Sequence, residues 1–186
     1  NLLIFCIRSF SFLMNLWPRW AQLKWGEFLG LIWFHVVRIR RDQVLKNLAL
    51  AFPEKTEKER YKIARANYMN YGCGFIEAVM FPSLPESFLK KWVVWEGFEH
   101  YQEAIGKNMG CFMLTLHMGS WEFMSAMGVW RGIPLHVIVK KFRNEGINKA
   151  WYDVRARAGL KLISEEKSSF EILRILKKKE VVGFIL

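Results

Sequence analysis

The sequence contains few cysteines, and none of them are paired. Cys6, Cys73 and Cys111 lie far apart without a Cys-x2-Cys pair, which excludes a zinc ribbon and gives no sign of a disulfide framework. His-Glu-x-x-His motifs and Cys/His clusters are also missing, so no metal ion is indicated. The glycines do not form a nucleotide-binding fingerprint. We therefore expect a protein of a reducing compartment that works without a metal or a cofactor.

A clean membrane-spanning run is also missing. Residues 1–37 are rich in Leu, Ile, Phe and Trp, but charged residues interrupt them before the roughly 18 apolar residues of a spanning helix are reached. One interpretation makes 2–16 the end of a membrane helix whose start is missing, with Trp17 and Trp20 at headgroup level. The other is an amphipathic helix packed on its own domain. We predict a membrane-associated helical segment over 1–41.

Acidic residues are outnumbered by basic ones. The 186 residues carry a formal net charge of +11, with 52% hydrophobic and 16% aromatic residues. The first 65 and the last 56 residues each have a net charge of +7, and the middle 65 have −3. A nucleic-acid binder usually couples such charge to a polar surface, whereas nine Trp and fifteen Phe suit a lipid–water boundary. The length fits one domain or part of one.

The ends of the sequence suggest a piece of a longer protein. It begins at Asn1 without an initiator Met and ends on the apolar run 181–186 without a polar tail. We expect the last strand to be interrupted there.

Apolar runs and helical stretches alternate in the second half. Thr56 and Glu59 form a capping box that predicts a helix to about Tyr71, and a short strand is predicted over Trp92–Trp95. Further strands are predicted over 111–116, 135–139, 160–163 and 181–186, with helices over 121–130, 147–158 and 170–176. Strands without polar alternation are buried on both faces, as in a parallel sheet. We predict an α/β domain over 42–186, with a mostly parallel sheet flanked by helices.

One polar sequence follows the first strand of this alternation. Ligands in open α/β sheets bind beyond the carboxyl ends of the strands, and His117 comes directly after an apolar strand there. Gly119 permits a tight turn, and Glu122 falls in the first turn of the next helix, from which a carboxylate can reach the imidazole. Such a partner fixes the tautomer, which makes His117 a candidate general base.

The missing motifs limit the classes of reaction that this site could catalyse. No Gly-x-Ser-x-Gly elbow is present, so Ser120 is not positioned as a hydrolase nucleophile. A site with a general base and few other reactive side chains suits acyl transfer from an activated donor, such as a thioester, to an alcohol. In that reaction the enzyme must otherwise only stabilise the developing oxyanion.

The sequence His-Met-Gly-Ser-Trp-Glu over 117–122 resembles the His-x4-Asp/Glu motif of the lipid A biosynthesis late acyltransferases, the lauroyl and myristoyl transferases of the lysophospholipid acyltransferase superfamily. Further matches occur in the family's order along the chain. They are Arg40-Arg41 to Asn47-Leu48, Ala51-Phe52-Pro53-Glu54, Glu96-Gly97-Phe98-Glu99, Arg143-Asn144 and Arg155-x-Arg157-x-Gly159.

This resemblance implies an αβα fold like that of the glycerolipid acyltransferases and an enzyme at the cytoplasmic face of the inner membrane. It would move a fatty acyl chain from acyl carrier protein, as co-substrate, to a hydroxyl of a lipid A precursor. The resemblance makes His117 the base, Glu122 its partner and Arg155 a further active-site residue. Substrate contacts are expected from Gly119, Ser120, Arg143, Asn144 and Arg157.

The sequence departs from the family at Ser120, where the family typically has Asn, and it ends before the family's Asp-Gln pair. Two alternatives remain open. One is a phospholipid or phosphatidylinositol-mannoside acyltransferase of the same superfamily. The other is a non-catalytic basic module for membrane surfaces or nucleic acid, which predicts steeply salt-dependent binding that does not need His117.

Overall fold

The computed structural model describes residues 2–185, without the side chain of Lys167. An N-terminal group of helices precedes the α/β part. It comprises α1 (Leu2–Asn15), α2 (Arg19–Ile32), a π-helical turn (Trp33–Val37), α3 (Arg41–Ala51), α4 (Glu57–Met80), a 3-10 turn (Phe81–Ser83), α5 (Glu86–Trp92) and α6 (Phe98–Gly106). The α/β part comprises β1 (Cys111–Thr115), α7 (Trp121–Trp130), β2 (Leu135–Val139), α8 (Glu145–Arg157), β3 (Lys161–Ser164), a 3-10 turn (Glu165–Lys167), α9 (Ser168–Lys177) and β4 (Val181–Ile185).

Helix α4 begins at the predicted capping box. The Glu59 amide donates to the Thr56 hydroxyl at 3.3 Å, and the Thr56 amide donates to the Glu59 carboxylate at 2.8 Å. The predicted start of this helix is therefore confirmed. The helix continues beyond Tyr71, through Gly72 and Gly74, to Met80.

Helices α2 and α4 are in backbone contact. A Cβ atom added to Gly72 would lie 2.0 Å from the carbonyl oxygen of Gly26, and one added to Gly30 would lie 2.1 Å from the carbonyl oxygen of Tyr68. No real side chain tolerates such distances. Glycine at these positions lets α4 lie directly on α2, and α4 also contacts α7.

The turn between α1 and α2 is closed by a buried glutamine. The side-chain amide of Gln22 donates to the carbonyl oxygens of Met14 at 3.1 Å and Trp17 at 2.9 Å. The Met14 carbonyl belongs to the last turn of α1, where helices leave acceptors without a partner, and the Trp17 carbonyl to the turn that follows. Gln22 therefore caps α1, and an ion pair at 2.5 Å between Arg8 and Asp153 ties α1 to α8.

Among residues 2–185, no helix combines the length and the apolar composition needed to cross a bilayer. Helices α1 and α2 and the turn between them nevertheless expose many large apolar side chains, among them Phe5, Phe12, Leu16, Trp17 and Trp20. Membrane association of 1–41, of which Asn1 lies outside the described residues, stays a prediction, as does the domain boundary after residue 41.

The four strands form one parallel sheet in the order β1-β4-β2-β3. The predicted α/β class and parallel sheet are confirmed. The observed strands differ from the predicted ones by one residue at the end of β1 and at both ends of β3, and Leu186 of the predicted last strand lies outside the described residues.

Two apolar clusters cover the two faces of the sheet. Leu135, Val137 and Val181 pack with residues of α6, α7 and α8 on one face. Val182 and Ile163 pack with Ile175 and its neighbours from α9 on the other. Helices therefore lie on both sides, as in other parallel sheets.

Two predictions about the strands are wrong. No strand forms over Trp92–Trp95, because α5 continues through Trp92 and the extended chain after it has no neighbouring strand with which to pair. Strand β1 is not buried on both faces, since Leu114 is 68% exposed and Phe112 50% exposed. It lies at the edge of the sheet, and the helix on that face, α9, packs chiefly on β3 and β4.

A charged cluster connects three strands at their amino ends. The Glu180 carboxylate contacts the imidazole Nε2 of His136 and accepts a hydrogen bond from the Lys161 ammonium at 3.1 Å. These hydrogen bonds, that from His136 first, lower the pKa of Glu180. The ionised carboxylate thus stabilises the pairing of β2, β3 and β4.

Replacing Gly72 with Ala should lower the free energy of unfolding by about 3 kcal/mol, because the new methyl group would force α2 and α4 apart. Gly106→Ala is the matched control, since no atom lies within 4 Å of the added Cβ. Chemical denaturation of both variants measures the difference. Equal stability of the two would contradict the close contact of α2 and α4.

Replacing Glu180 with Gln should lower the melting temperature at neutral pH and matter less in acid. A carboxylate whose pKa is lowered in the folded state stabilises fully above its unfolded pKa, near 4.5, and the contribution is lost as the pH falls through the folded value. Thermal melts of both proteins across this range measure the effect, with the exposed Glu54→Gln as control. A deficit that persists at the lowest pH at which the chain stays folded would contradict this role.

Candidate functional site

The loop after β1 lies at the carboxyl edge of the sheet. β1 ends at Thr115, which is aligned with Ile185 of the neighbouring parallel strand β4, so both strands run towards this edge. The loop turns tightly, with the Met118 amide donating to the Leu116 carbonyl at 2.7 Å and Gly119 at a φ of +62°. Only glycine adopts this φ without strain. The tight turn predicted at Gly119 is confirmed.

His117 is an exposed residue of this loop. Its ring packs edge-on against Trp121, with the ring centroids 5.2 Å apart, and Trp121 in turn contacts Tyr71 of α4. The imidazole is therefore positioned by an aromatic neighbour at the start of α7 and is accessible to a substrate.

Glu122, in the first turn of α7, is bound by α8. Arg155 donates to it through Nε, at 3.1 Å to Oε2, and through Nη2 to Oε1. Trp151 donates its indole N–H to Oε1 at 3.3 Å. The carboxylate and the guanidinium are only 16% and 17% exposed, so water screens this ion pair little. Glu122 and Arg155, two of the three predicted catalytic residues, are therefore in direct contact.

The structure does not join Glu122 to His117. Within residues 2–185, the hydrogen bonds of the carboxylate come from Arg155 and Trp151 alone. A carboxylate offers about four acceptor positions, of which these donors occupy three, and the remaining one is on Oε2. The predicted pairing of His117 with Glu122 stays a hypothesis.

The other predicted site residues lie in the loops before α7 and α8 and at the end of α8. Ser120 precedes α7 with its hydroxyl buried and without a hydrogen-bond partner among the described residues, close to Gly74 of α4. Asn144 caps α8 by accepting from the Ile147 amide at 3.0 Å. The side chains of Arg143 and Arg157 are exposed and form neither a hydrogen bond nor an ion pair with another described residue. Their roles stay predictions.

Sequence reasoning missed the role of Trp151. The spacing of Ile147, Trp151 and Val154 predicts a packing face of a helix, and Trp151 does stack on Phe75. Its hydrogen bond to Glu122 follows only once Arg155 is known to meet that carboxylate, because residues four apart share a helix face.

Two further features of the described residues concern metal binding and cysteine reactivity. Within residues 2–185, no group of three His, Cys, Asp or Glu side chains could hold a metal ion. Burial raises the pKa of the Cys73 thiol, which disfavours the thiolate that a nucleophile requires.

Comparison with known proteins supports the family resemblance found in the sequence. A family model described as bacterial lipid A biosynthesis acyltransferase matches residues 2–186. The lipid A biosynthesis palmitoleoyltransferase of Escherichia coli K12 is 27% identical over 173 residues, which are 89% of this chain and 55% of that protein. The lauroyltransferase of the same strain is 27% identical over 169 residues, 86% of this chain and 51% of that protein.

A third relative, the lipid A biosynthesis acyltransferase 2 of Shigella flexneri, is 29% identical over 147 residues, covering 77% of this chain and 44% of that protein. The chain thus spans about half the length of the curated relatives that it matches. On the match of the family model over residues 2–186, the chain belongs to the bacterial lipid A biosynthesis acyltransferase family.

Proposed function

We propose that this chain carries the active site of an enzyme that transfers a fatty acyl chain from the thioester of acyl carrier protein to a hydroxyl of a lipid A precursor. The observation that carries the proposal is the anchored carboxylate of Glu122, in a His-x4-Glu motif at the carboxyl edge of a parallel sheet. Membership of the lipid A acyltransferase family supports the same reaction.

In this proposal His117 is the general base. Its exposed imidazole takes the proton from the acceptor hydroxyl as the hydroxyl oxygen attacks the thioester carbonyl. The resulting oxyanion collapses with cleavage of the C–S bond, and the imidazolium gives the proton to the leaving thiolate. Glu122 accepts from the other ring nitrogen at its open position on Oε2, which fixes the tautomer and stabilises the imidazolium.

Arg155 then acts through Glu122. Its guanidinium donates two hydrogen bonds to the carboxylate, a bidentate arrangement that fixes direction as well as charge. The function that the resemblance assigns to Arg155 is therefore proposed here as holding the base's partner in place.

The exposed cations near the site fit the acidic substrates of the proposed reaction. Acyl carrier protein and a phosphorylated glycolipid are both acidic, and Arg143 is an exposed cation just beyond the carboxyl end of β2. We propose Arg143 and Arg157 as contacts for these anions, and Gly119, Ser120 and Asn144 as residues that shape the loops beside them. Such charges mainly accelerate encounter, and their effect falls with salt.

We also propose that the enzyme works at the cytoplasmic face of the inner membrane. The exposed Trp17, Trp20 and Trp25 of the N-terminal helices support this location, because Trp is enriched at the lipid–water interface.

His117→Ala should abolish acyl transfer from acyl carrier protein, and Glu122→Ala should be nearly as severe, since base catalysis contributes about 10² to 10⁴ in rate. Mass spectrometry of the acylated lipid A precursor measures the product, with phospholipid acceptors in competition. The exposed His100→Ala is the matched control. Full activity of His117→Ala, with its melting temperature unchanged, would refute the assignment, and preferred acylation of the phospholipid would refute the acceptor.

Arg155→Ala should reduce kcat by about 10²-fold, because Glu122 would lose two charged hydrogen bonds and its orientation. Arg155→Lys should restore little, since an ammonium cannot make the bidentate contact. Steady-state kinetics measure both, with the exposed Arg174→Ala as control. Equal kcat values for Arg155→Lys and the unaltered enzyme would show that a positive charge alone holds Glu122, and would contradict the role of the bidentate contact.

A further inference from the structure

Trp151 lies between an aromatic ring and the carboxylate of the site. On one side its indole stacks on Phe75 of α4, with the ring centroids 5.6 Å apart and the planes 14° from parallel. Its Nε1–H donates to Oε1 of Glu122 at 3.3 Å. The guanidinium carbon of Arg155 lies 5.8 Å from the centre of the indole. Trp151 thus connects α4, α7 and α8.

The stacked ring is itself held from the N-terminal helices. Trp33, in the π-helical turn after α2, meets Phe75 edge-on with the ring centroids 5.5 Å apart and the planes at 80°. Phe75 is therefore restrained by Trp33 as well as by Trp151. Because an indole N–H lies in the plane of its ring, the plane that Phe75 imposes on Trp151 also sets the direction of its hydrogen bond.

The hydrogen bond from Trp151 makes the two carboxylate oxygens of Glu122 differ in their number of donors. Oε1 accepts from Trp151 and from Nη2 of Arg155, whereas Oε2 accepts from Nε of Arg155 alone. The free acceptor position therefore lies on Oε2. Without the indole donor, the carboxylate would keep its ion pair with Arg155 but have open positions on both oxygens.

We propose that Trp151 is a positioning residue that fixes the orientation of Glu122, with Phe75 holding the indole plane from behind. The inference rests on the proposed function of Glu122 as the partner of His117. Trp151 touches no reacting atom and acts only through the carboxylate.

The test compares two replacements of Trp151 in the purified enzyme. Trp151→Phe keeps a flat ring for Phe75 but removes the N–H, and it should lower kcat about tenfold with KM and melting temperature little changed. Trp151→His keeps a ring and an N–H donor, and it should recover part of this loss. Phe75→Leu keeps apolar volume without a stacking plane and should lower kcat about threefold, the smaller loss expected of a ring that acts only through the indole. The exposed Trp92→Phe is the matched control.

A role in packing alone predicts the opposite order, since Phe resembles the apolar part of Trp more closely than His does. The inference is overturned if Trp151→Phe keeps full kcat, or if Trp151→His is the more damaging change and both variants melt at lower temperature. Inactive His117→Ala and Glu122→Ala enzymes together with a fully active Trp151→Phe enzyme would refute only this inference. Active His117→Ala and Glu122→Ala enzymes would refute the proposed dyad itself.

Discussion

The carboxylate of Glu122 receives all of its observed hydrogen bonds from one helix, and the geometry of the site depends on this contact. Taking a carboxylate and a guanidinium out of water is costly unless the geometry is good and the remaining hydrogen-bonding positions are used. Here the guanidinium binds through two nitrogens, and an indole N–H adds a third donor. The pair therefore orients the start of α7 relative to α8, and with it the loop that carries His117.

This contact is supported from the N-terminal helices. Glycines let α2 and α4 approach each other at backbone distance, and α4 then presents Phe75 to Trp151. A second connection runs from Arg8 of α1 to Asp153 of α8. The helices that precede the sheet thus brace the helix that holds Glu122, which gives them a structural role in the site in addition to any contact with lipid.

Much of the fold could be predicted from local patterns. Apolar runs of strand length identify β1, β2 and β4, and for the interior strands β2 and β4 the reason is that both of their faces are covered. The capping box at Thr56 identifies the start of α4 from spacing alone. The position of a strand within its sheet depends on contacts between residues distant in sequence, so local patterns do not predict it. The sequence of β1 resembles that of an interior strand, yet β1 lies at the edge and exposes Leu114, and Trp92–Trp95 has strand-forming residues without a strand to pair with.

In the site, too, some features can be predicted from adjacent residues and others cannot. The turn at Gly119 and the place of Glu122 in the first turn of α7 follow from adjacent residues. The contact of Glu122 with Arg155 joins residues 33 positions apart and depends on how α8 crosses α7, which no periodicity reveals. The resemblance to the acyltransferases named Arg155 as an active-site residue, but only the three-dimensional arrangement gives it a partner.

The most direct test of the account is the protonation of the His117 ring, observed by nitrogen NMR in the intact protein and assigned by its loss in His117→Ala. If Glu122 is the partner of this imidazole, the neutral ring is held in a single tautomer in the unaltered protein, and Glu122→Gln converts it to a mixture of tautomers. If the ring nitrogens show the same mixture in both proteins, the carboxylate does not orient the base and the central claim is contradicted.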